Sequence, residues 1–340
     1  MNQHTSPSAN RGSLAHRVFI GLLQSRYAGA LGSLLLISVF LYFYQPVFLT
    51  WPNLMNIVKS NSVAFILAIG ATFVVISGTV DLSFGSATTA AAMVFGLLLV
   101  AGVPLPLAII GALLTGALLG VINGYLVSYA RISFFVVTLG TLSVYQSAAL
   151  IMNDGGSLSV FSQDGFKALN HFVNGQVGPV PIILIFDLVL FAVAWGILRY
   201  TTFGRALYSI GSNPEAARLN GIDVKRVLFL VFVISGLMAG LASVVQVGRL
   251  TVASPEVDMN LLLTVLAAVL IGGTAMTGGE GGVTGTLIGV VFLGVVQNGL
   301  TLTGVSSFWQ GTLSGGILIF SVWLGGVRGV LRSRRQTKLE

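Results

Sequence analysis

The sequence predicts an all-α polytopic membrane protein of about ten transmembrane helices, and three observations carry that prediction. Charged residues make up 8% of the 340 residues and hydrophobic ones 55%. A soluble domain carries about 25% charge, so the apolar side chains here must meet lipid rather than water. The mean hydropathy is +0.93, and the apolar residues fall in runs close to the roughly 20 that a spanning helix needs. Finally, the basic residues gather at the ends of those runs. Forty-three glycines against nine prolines fit the same class, because small residues let membrane helices approach closely.

Residues 1–28 form a polar tail containing Arg11, Arg17 and Arg26. The apolar run after it is too long for a signal-peptide core and lacks a clear small-residue cleavage site, so it reads as a retained first helix. Run length gives ten candidates: about 29–48, 61–79, 86–102, 105–129, 132–152, 180–199, 227–247, 259–274, 283–302 and 305–326. The third and eighth are short or glycine-interrupted, and either suits a half-helix that dips in without crossing. With the N-terminus in the cytoplasm and ten crossings, every Lys and Arg except Lys59, Lys167 and Arg249 falls on the inner side. That positive-inside bias supports an even count with both termini cytoplasmic. Losing one helix would scramble the bias and losing a pair would not, so eight crossings also satisfy the charges. The membrane domain is then 29–326, followed by a basic cytoplasmic tail, 327–340. Two connections are long: 153–179 outside, rich in Gly, Asn and Asp, and 200–226 inside.

The chain also echoes itself. Leu119-Gly120-Val121-Ile122-Asn123-Gly124 is similar to Leu293-Gly294-Val295-Val296-Gln297-Asn298-Gly299, with one residue inserted. Downstream, Ser133-Phe134-Phe135 aligns with Ser307-Phe308-Trp309, and Thr138-Leu139 with Thr312-Leu313, at an offset of 174. Five crossings separate the copies, so they run in opposite senses. Inverted repeats of this kind are common in transporters, with the pathway at the repeat interface.

Within the inner loop, Asn213-Pro214-Glu215-Ala216-Ala217-Arg218-Leu219-Asn220-Gly221 specifies a short helix. The Asn213 side chain can accept from free N–H groups as an N-cap. Pro214 suits the first helical position, where no N–H is needed, and Glu215 complements the positive dipole end. Ala216, Ala217, Arg218 and Leu219 favour helix, and Gly221 fits a left-handed stop. The expectation is a self-capped helix of about two turns between two spanning helices, positioned to dock into a groove on a partner.

Polar residues at membrane depth are functional candidates by default. Asp81 lies in the Gly/Ser-rich break between the second and third helices and reads as the N-cap of a helix starting near Leu82, from where it would shape a pathway loop. Asp187 lies within the sixth helix without a nearby sequence partner; hydrogen bonding and proton relay both suit it. Asn123, Gln297 and Asn298 sit in the echoed segments, where their amides can bind the hydroxyls of a polar solute or bond between helices. Phe134, Phe135, Phe308 and Trp309 could stack on the ring of a solute in the pathway or pack at an interface. Glu280, among four glycines in the inner loop 277–282, reads as part of a tight turn.

Other chemistries find no support. There is no Cys, and His4, His16 and His171 lie outside the apolar runs, so no buried transition-metal site is expected. A P-loop needs Gly-Lys-Ser/Thr, and none of the four lysines follows a glycine. No paired catalytic groups are visible. The net charge of +7 lies at helix ends with no aromatic-interleaved patch, which argues against nucleic-acid binding.

Glu215-Ala216-Ala217, three residues, then Gly221 resembles the cytoplasmic coupling loop of ABC importer permeases. The wider wording GRALYSIGSNPEAARLNGI (204–222), with VISGTVDLSFGS (75–86) and LIGGTAMTGGEGGVTGTLIG (270–289), resembles the ribose-type monosaccharide permeases, and the likeness runs over about residues 50–325. Val231 and Val233, with no Leu-Pro following, depart from the longer coupling motif of the maltose-type class. The resemblance implies a transport subunit, not an enzyme, in a bacterial inner membrane. It implies pairing with a second permease (a copy or a sibling), a cytoplasmic ATPase that holds ATP and Mg²⁺, and an extracytoplasmic sugar-binding protein. No cofactor is expected on this chain. An ion-coupled secondary carrier and an importer permease for another small solute such as an amino acid are the competing readings.

Overall fold

The computed structural model describes residues 28–306 and 309–320. The tail 327–340, Phe308 and nearly all of the tail 1–28 lie outside the described residues. Thirteen helical segments make up almost all the regular structure among them. In chain order they are α1 Ala28–Tyr44, α2 Trp51–Ile76, α3 Phe84–Val100, α4 Leu105–Ser128, α5 Phe134–Ile151, α6 Phe166–Asn174, α7 Ile182–Tyr200, α8 Thr202–Ser212, α9 Pro214–Leu219, α10 Val224–Leu250, α11 Met259–Ile271, α12 Val283–Leu302 and α13, residues 309–320. Helices dominate because a chain in lipid must satisfy every backbone group internally. Six of them (α2, α4, α5, α7, α10 and α12) are long and apolar enough to cross a membrane, and shorter apolar helices stand at α1, α3 and α11. The third and eighth expected spans are α3 and α11, with 17 and 13 residues. At 1.5 Å per residue α11 is about 20 Å long, short of a hydrocarbon core of about 30 Å.

The structure corrects two sequence expectations and adds elements to one long connection. Helix α2 starts at Trp51, ten residues before the apolar run near 61. Its polar first turns find partners: Asn53 exchanges amide hydrogen bonds with Asn298, Lys59 donates to the Asn174 carbonyl, and Arg249 donates to Ser60. The connection 153–179 holds α6, whose Phe166, Leu169 and Val173 are buried along one face. It also holds β1 Leu158–Ser159, paired antiparallel with β4 Val252–Ala253, and β2 Gln176–Val177, which forms a hairpin with β3 Val180–Pro181 just beyond it. The inner connection contains two helices, α8 and α9, where the sequence suggested only the second.

Helix α2 is the axis of the bundle, buried almost without a break from Ser62 to Ile76. Helices α7, α10, α11 and α12 pack against it, while α4, α5 and α7 keep apolar outer faces such as Leu114, Leu118, Val144 and Val193. Such faces suit lipid. The closest crossing joins α4 and α10. A Cβ added at Gly116 would collide with the Gly236 carbonyl oxygen and lie 2.6 Å from the Gly240 nitrogen, and one at Gly120 would collide with the Phe232 carbonyl oxygen. Glycines at every fourth position thus let two backbones touch.

The two echoed segments occupy corresponding places. Helices α2 and α10 end at Ile76 and Leu250, and α4 and α12 end at Ser128 and Leu302, in both cases 174 residues apart. Each long helix is followed by a non-helical break and then a shorter helix. The packing corresponds too: α4 lies against α10, and α12 lies against α2.

Candidate functional site

The break after α2 is held by a buried polar network. Asp81 Oδ1 accepts from the Ser83 N–H at 2.9 Å and from the Ser83 hydroxyl at 2.7 Å, and Oδ2 accepts from the Ser235 hydroxyl of α10 at 2.9 Å. Ser83 Oγ in turn accepts from the Asn123 amide of α4 at 2.7 Å. The Tyr145 hydroxyl of α5 lies 3.0 Å from both Asn123 Oδ1 and the Leu119 carbonyl. Asp81, Ser83, Asn123, Tyr145 and Ser235 are all buried. The network joins four parts of the bundle through groups that would each be costly to leave unpaired. Asp81 therefore does not cap a helix from Leu82. The helix starts at Phe84 with Ser83 at the cap position, and the carboxylate reaches it from two residues upstream.

The other amides of the echo are engaged elsewhere. Asn298 pairs with Asn53, and Gln297 donates to Thr264, whose hydroxyl meets Ser314 of α13. Asp187 accepts from the Ser62 hydroxyl at 2.9 Å. Asn123, Gln297 and Asn298 thus serve as bonds between helices here. The aromatics are not gathered round them: Phe134 is half-buried, and Phe135 and Trp309 are exposed. The partners Ser83, Ser235, Tyr145, Ser62 and Thr264 carried no sequence signal, since hydroxyl residues are frequent in apolar helices and only the packed bundle selects which ones meet an acid or an amide.

The second locus is the connection between α7 and α10. Thr201 Oγ1 caps α8 by accepting from the Gly204 N–H at 3.1 Å. Gly204, Leu207 and Ile210 are buried at intervals of three, and Phe203 stacks on Phe73 of α2. That amphipathic spacing, with a threonine cap, was the available signal for α8. Then α9 turns outward. Asn213 Oδ1 accepts from the N–H groups of Glu215 and Ala216 at 3.0 Å each, Pro214 opens the helix, and Gly221 adopts φ +80° just beyond it. Only Ala217 of this helix is buried. Glu215 and Arg218 form a bidentate pair at the surface, with a closest approach of 2.6 Å. The Arg218 hydrogen bond, then its charge, holds the Glu215 carboxyl below its ordinary value.

Three chain segments converge beneath this helix pair. The Gly279 N–H donates to the carbonyl of Ile76, the last residue of α2, at 2.8 Å, and the Tyr208 hydroxyl of α8 donates to the Gly281 carbonyl at 2.9 Å. A Cβ at Gly211 would collide with the Ile76 carbonyl oxygen and the Gly279 nitrogen. The glycine-rich turn around Glu280 therefore sits between α8 and the end of the bundle's axial helix. α8 thus stands between α9 and the end of α2.

The comparisons with known proteins show the family of the chain. Residues 53–322 match the family described as branched-chain amino acid transport system, permease component. The chain belongs to this permease family. It is 34% identical to the D-allose transport system permease protein of Escherichia coli (strain K12), over 85% of this chain and 88% of that one. The permease is also 34% identical to a ribose import permease protein of Bacillus subtilis (strain 168), over 90% and 94%. To the galactose/methyl galactoside import permease protein of Salmonella typhimurium (strain LT2) it is 31% identical, over 87% and 92%. No solved structure matches the permease.

Proposed function

We propose that this permease forms the membrane pathway of an ATP-driven, binding-protein-dependent importer for a monosaccharide such as ribose. The observation that carries the reading is the docking element: a capped, outward-facing Pro214–Leu219 helix seated on a rigid junction with α2. The names of the relatives, all sugar permeases, supply the substrate class. In this reading ten helices cross a bacterial inner membrane with both termini in the cytoplasm. The segments α2–α5 and α10–α13 are inverted copies, and the break loops after α2 and α10 flank the pathway. A partner ATPase, carrying ATP and Mg²⁺, grips α9; a second permease completes the channel; an extracytoplasmic binding protein delivers the sugar.

The competing reading is an ion-coupled carrier; the relatives named as allose, ribose and galactose import permeases support the ATP-driven reading over it. The test is uptake of labelled ribose, allose and galactose in proteoliposomes containing the permease, the ATPase and the binding protein. Uptake is expected only with ATP inside and all components present. Uptake by the permease alone, driven by a proton or sodium gradient, would refute the proposal.

A further inference from the structure

Beside the α4–α10 crossing runs an apolar groove of about 490 Å³ lined by Val121, Ile122, Tyr125, Leu126, Tyr129 and Phe229. Its origin is in the packing. Gly124 brings α4 against the Phe229 backbone, where an added Cβ would sit 2.8 Å from the Phe229 carbonyl oxygen. The large side chains on either side cannot follow the backbones inward and leave a furrow along the seam. Its aromatic rim is interlocked: the Tyr125 and Tyr129 rings stack at 5.9 Å, and Phe229 meets Tyr129 edge-on at 5.8 Å. Tyr125 and Tyr129 remain about half exposed.

One end of the furrow is basic. Arg131 lies two residues beyond Tyr129, and Arg226 lies one helical turn before Phe229, about 4.5 Å along the axis, with Lys225 beside it; all three are exposed. The acids of this region are otherwise engaged or outnumbered: Asp223 caps α10 through the Arg226 N–H, and Glu215 is held by Arg218. A groove that accepts hydrocarbon, rimmed by tyrosines and closed by cations, matches the chemistry of an anionic lipid at a membrane surface. The lining offers a sugar almost nothing to hydrogen-bond. A protein partner would have to cover three cations along with the groove, and charge is depleted from the centre of protein interfaces.

We infer that this groove binds an anionic phospholipid, its acyl chain along Ile122 and Tyr125 and its phosphate held by Arg131, Lys225 and Arg226. Because the site straddles the α4–α10 seam, bound lipid braces the helix that leaves the docking connection. This inference does not depend on which solute is carried.

The full chain, stripped of lipid in neutral detergent, is titrated with dioleoyl phosphatidylglycerol and with the phosphatidylcholine of the same acyl chains, and binding is read by native mass spectrometry. Surface cations each strengthen binding of an anionic lipid by about 5-fold, so Arg131→Gln with Arg226→Gln is expected to weaken phosphatidylglycerol binding by about 25-fold and leave phosphatidylcholine unchanged. Glycerol phosphate, which lacks acyl chains, is expected to give no adduct and no rise in Tm. Equal binding of phosphatidylglycerol by wild type and double variant, or of the two lipids by wild type, would overturn the site. So would a glycerol phosphate adduct, or a variant that alters permease pairing while lipid binding stays the same.

Discussion

Replacing Asn213 tests whether α9 must be formed for transport. Its side-chain oxygen accepts two backbone hydrogen bonds, from Glu215 and Ala216, each at 3.0 Å. The helix has six residues and buries only Ala217, and helices so short do not stand alone in water. The cap is therefore a large share of what keeps it ordered. Loss of an asparagine cap to alanine costs about 1 kcal/mol, against a few tenths to glycine. About 1 kcal/mol lowers the ratio of formed to frayed helix roughly 5-fold. Aspartate supplies the same acceptor and adds a charge suited to the helix dipole. Initial rates of ATP-driven sugar uptake in proteoliposomes, together with co-purification of the ATPase, should rank Asn213→Asp at or above wild type, then Asn213→Gly, then Asn213→Ala, the last lower by about 5-fold. The Tm of the isolated permease should not change, since α9 adds so little to the core. Wild-type uptake by Asn213→Ala, or a glycine variant below the alanine variant, would refute the reasoning.

Glu215→Lys should leave membrane insertion intact, because the residue is exposed, but abolish ATPase co-purification and uptake; unchanged uptake would remove Glu215 from the docking surface. The depressed carboxyl value makes this pair's contribution present above the ordinary carboxylate value of 4.5 and lost only as pH falls through the lower folded-state value. Uptake attributable to Glu215 should accordingly be flat from about pH 6 to pH 8, since a carboxyl held below its ordinary value is already ionised there. In Gly236→Val, the new Cβ would collide with the Gly116 carbonyl oxygen and lie 2.8 Å from the Gly120 nitrogen. Overpacking of this kind costs about 1–3 kcal/mol, to be read as a lower Tm in detergent. Asp81→Ala leaves the Ser83 and Ser235 donors without their acceptor, at about 1–3 kcal/mol for each buried group left unsatisfied. Asp81→Asn keeps an acceptor oxygen and should melt between the alanine variant and wild type.

The sequence by itself determined the class of protein, the order of its apolar helices and the short capped helix Pro214–Leu219. Lipid leaves a chain few ways to satisfy its backbone, so run length alone locates spans such as Leu105–Ser128 and Val283–Leu302. The Asn213–Gly221 helix is equally local, because its cap, proline start and glycine stop act on neighbouring residues. The repeat was legible as a few words at a fixed offset, and the helix ends at Ile76 and Leu250 carry the same offset. Tertiary structure alone decided the rest. It extended α2 back to Trp51 by pairing Asn53, Lys59 and Ser60 with distant segments, and it chose Ser83 and Ser235 as partners of Asp81. It also turned Gly116 and Gly236 into a backbone crossing and set Gly279 against the end of α2. The physical reason is one of range. Capping and hydropathy act within a few residues of the chain, whereas a buried hydrogen bond or a glycine contact depends on what the bundle brings to within about 3 Å from more than a hundred residues away.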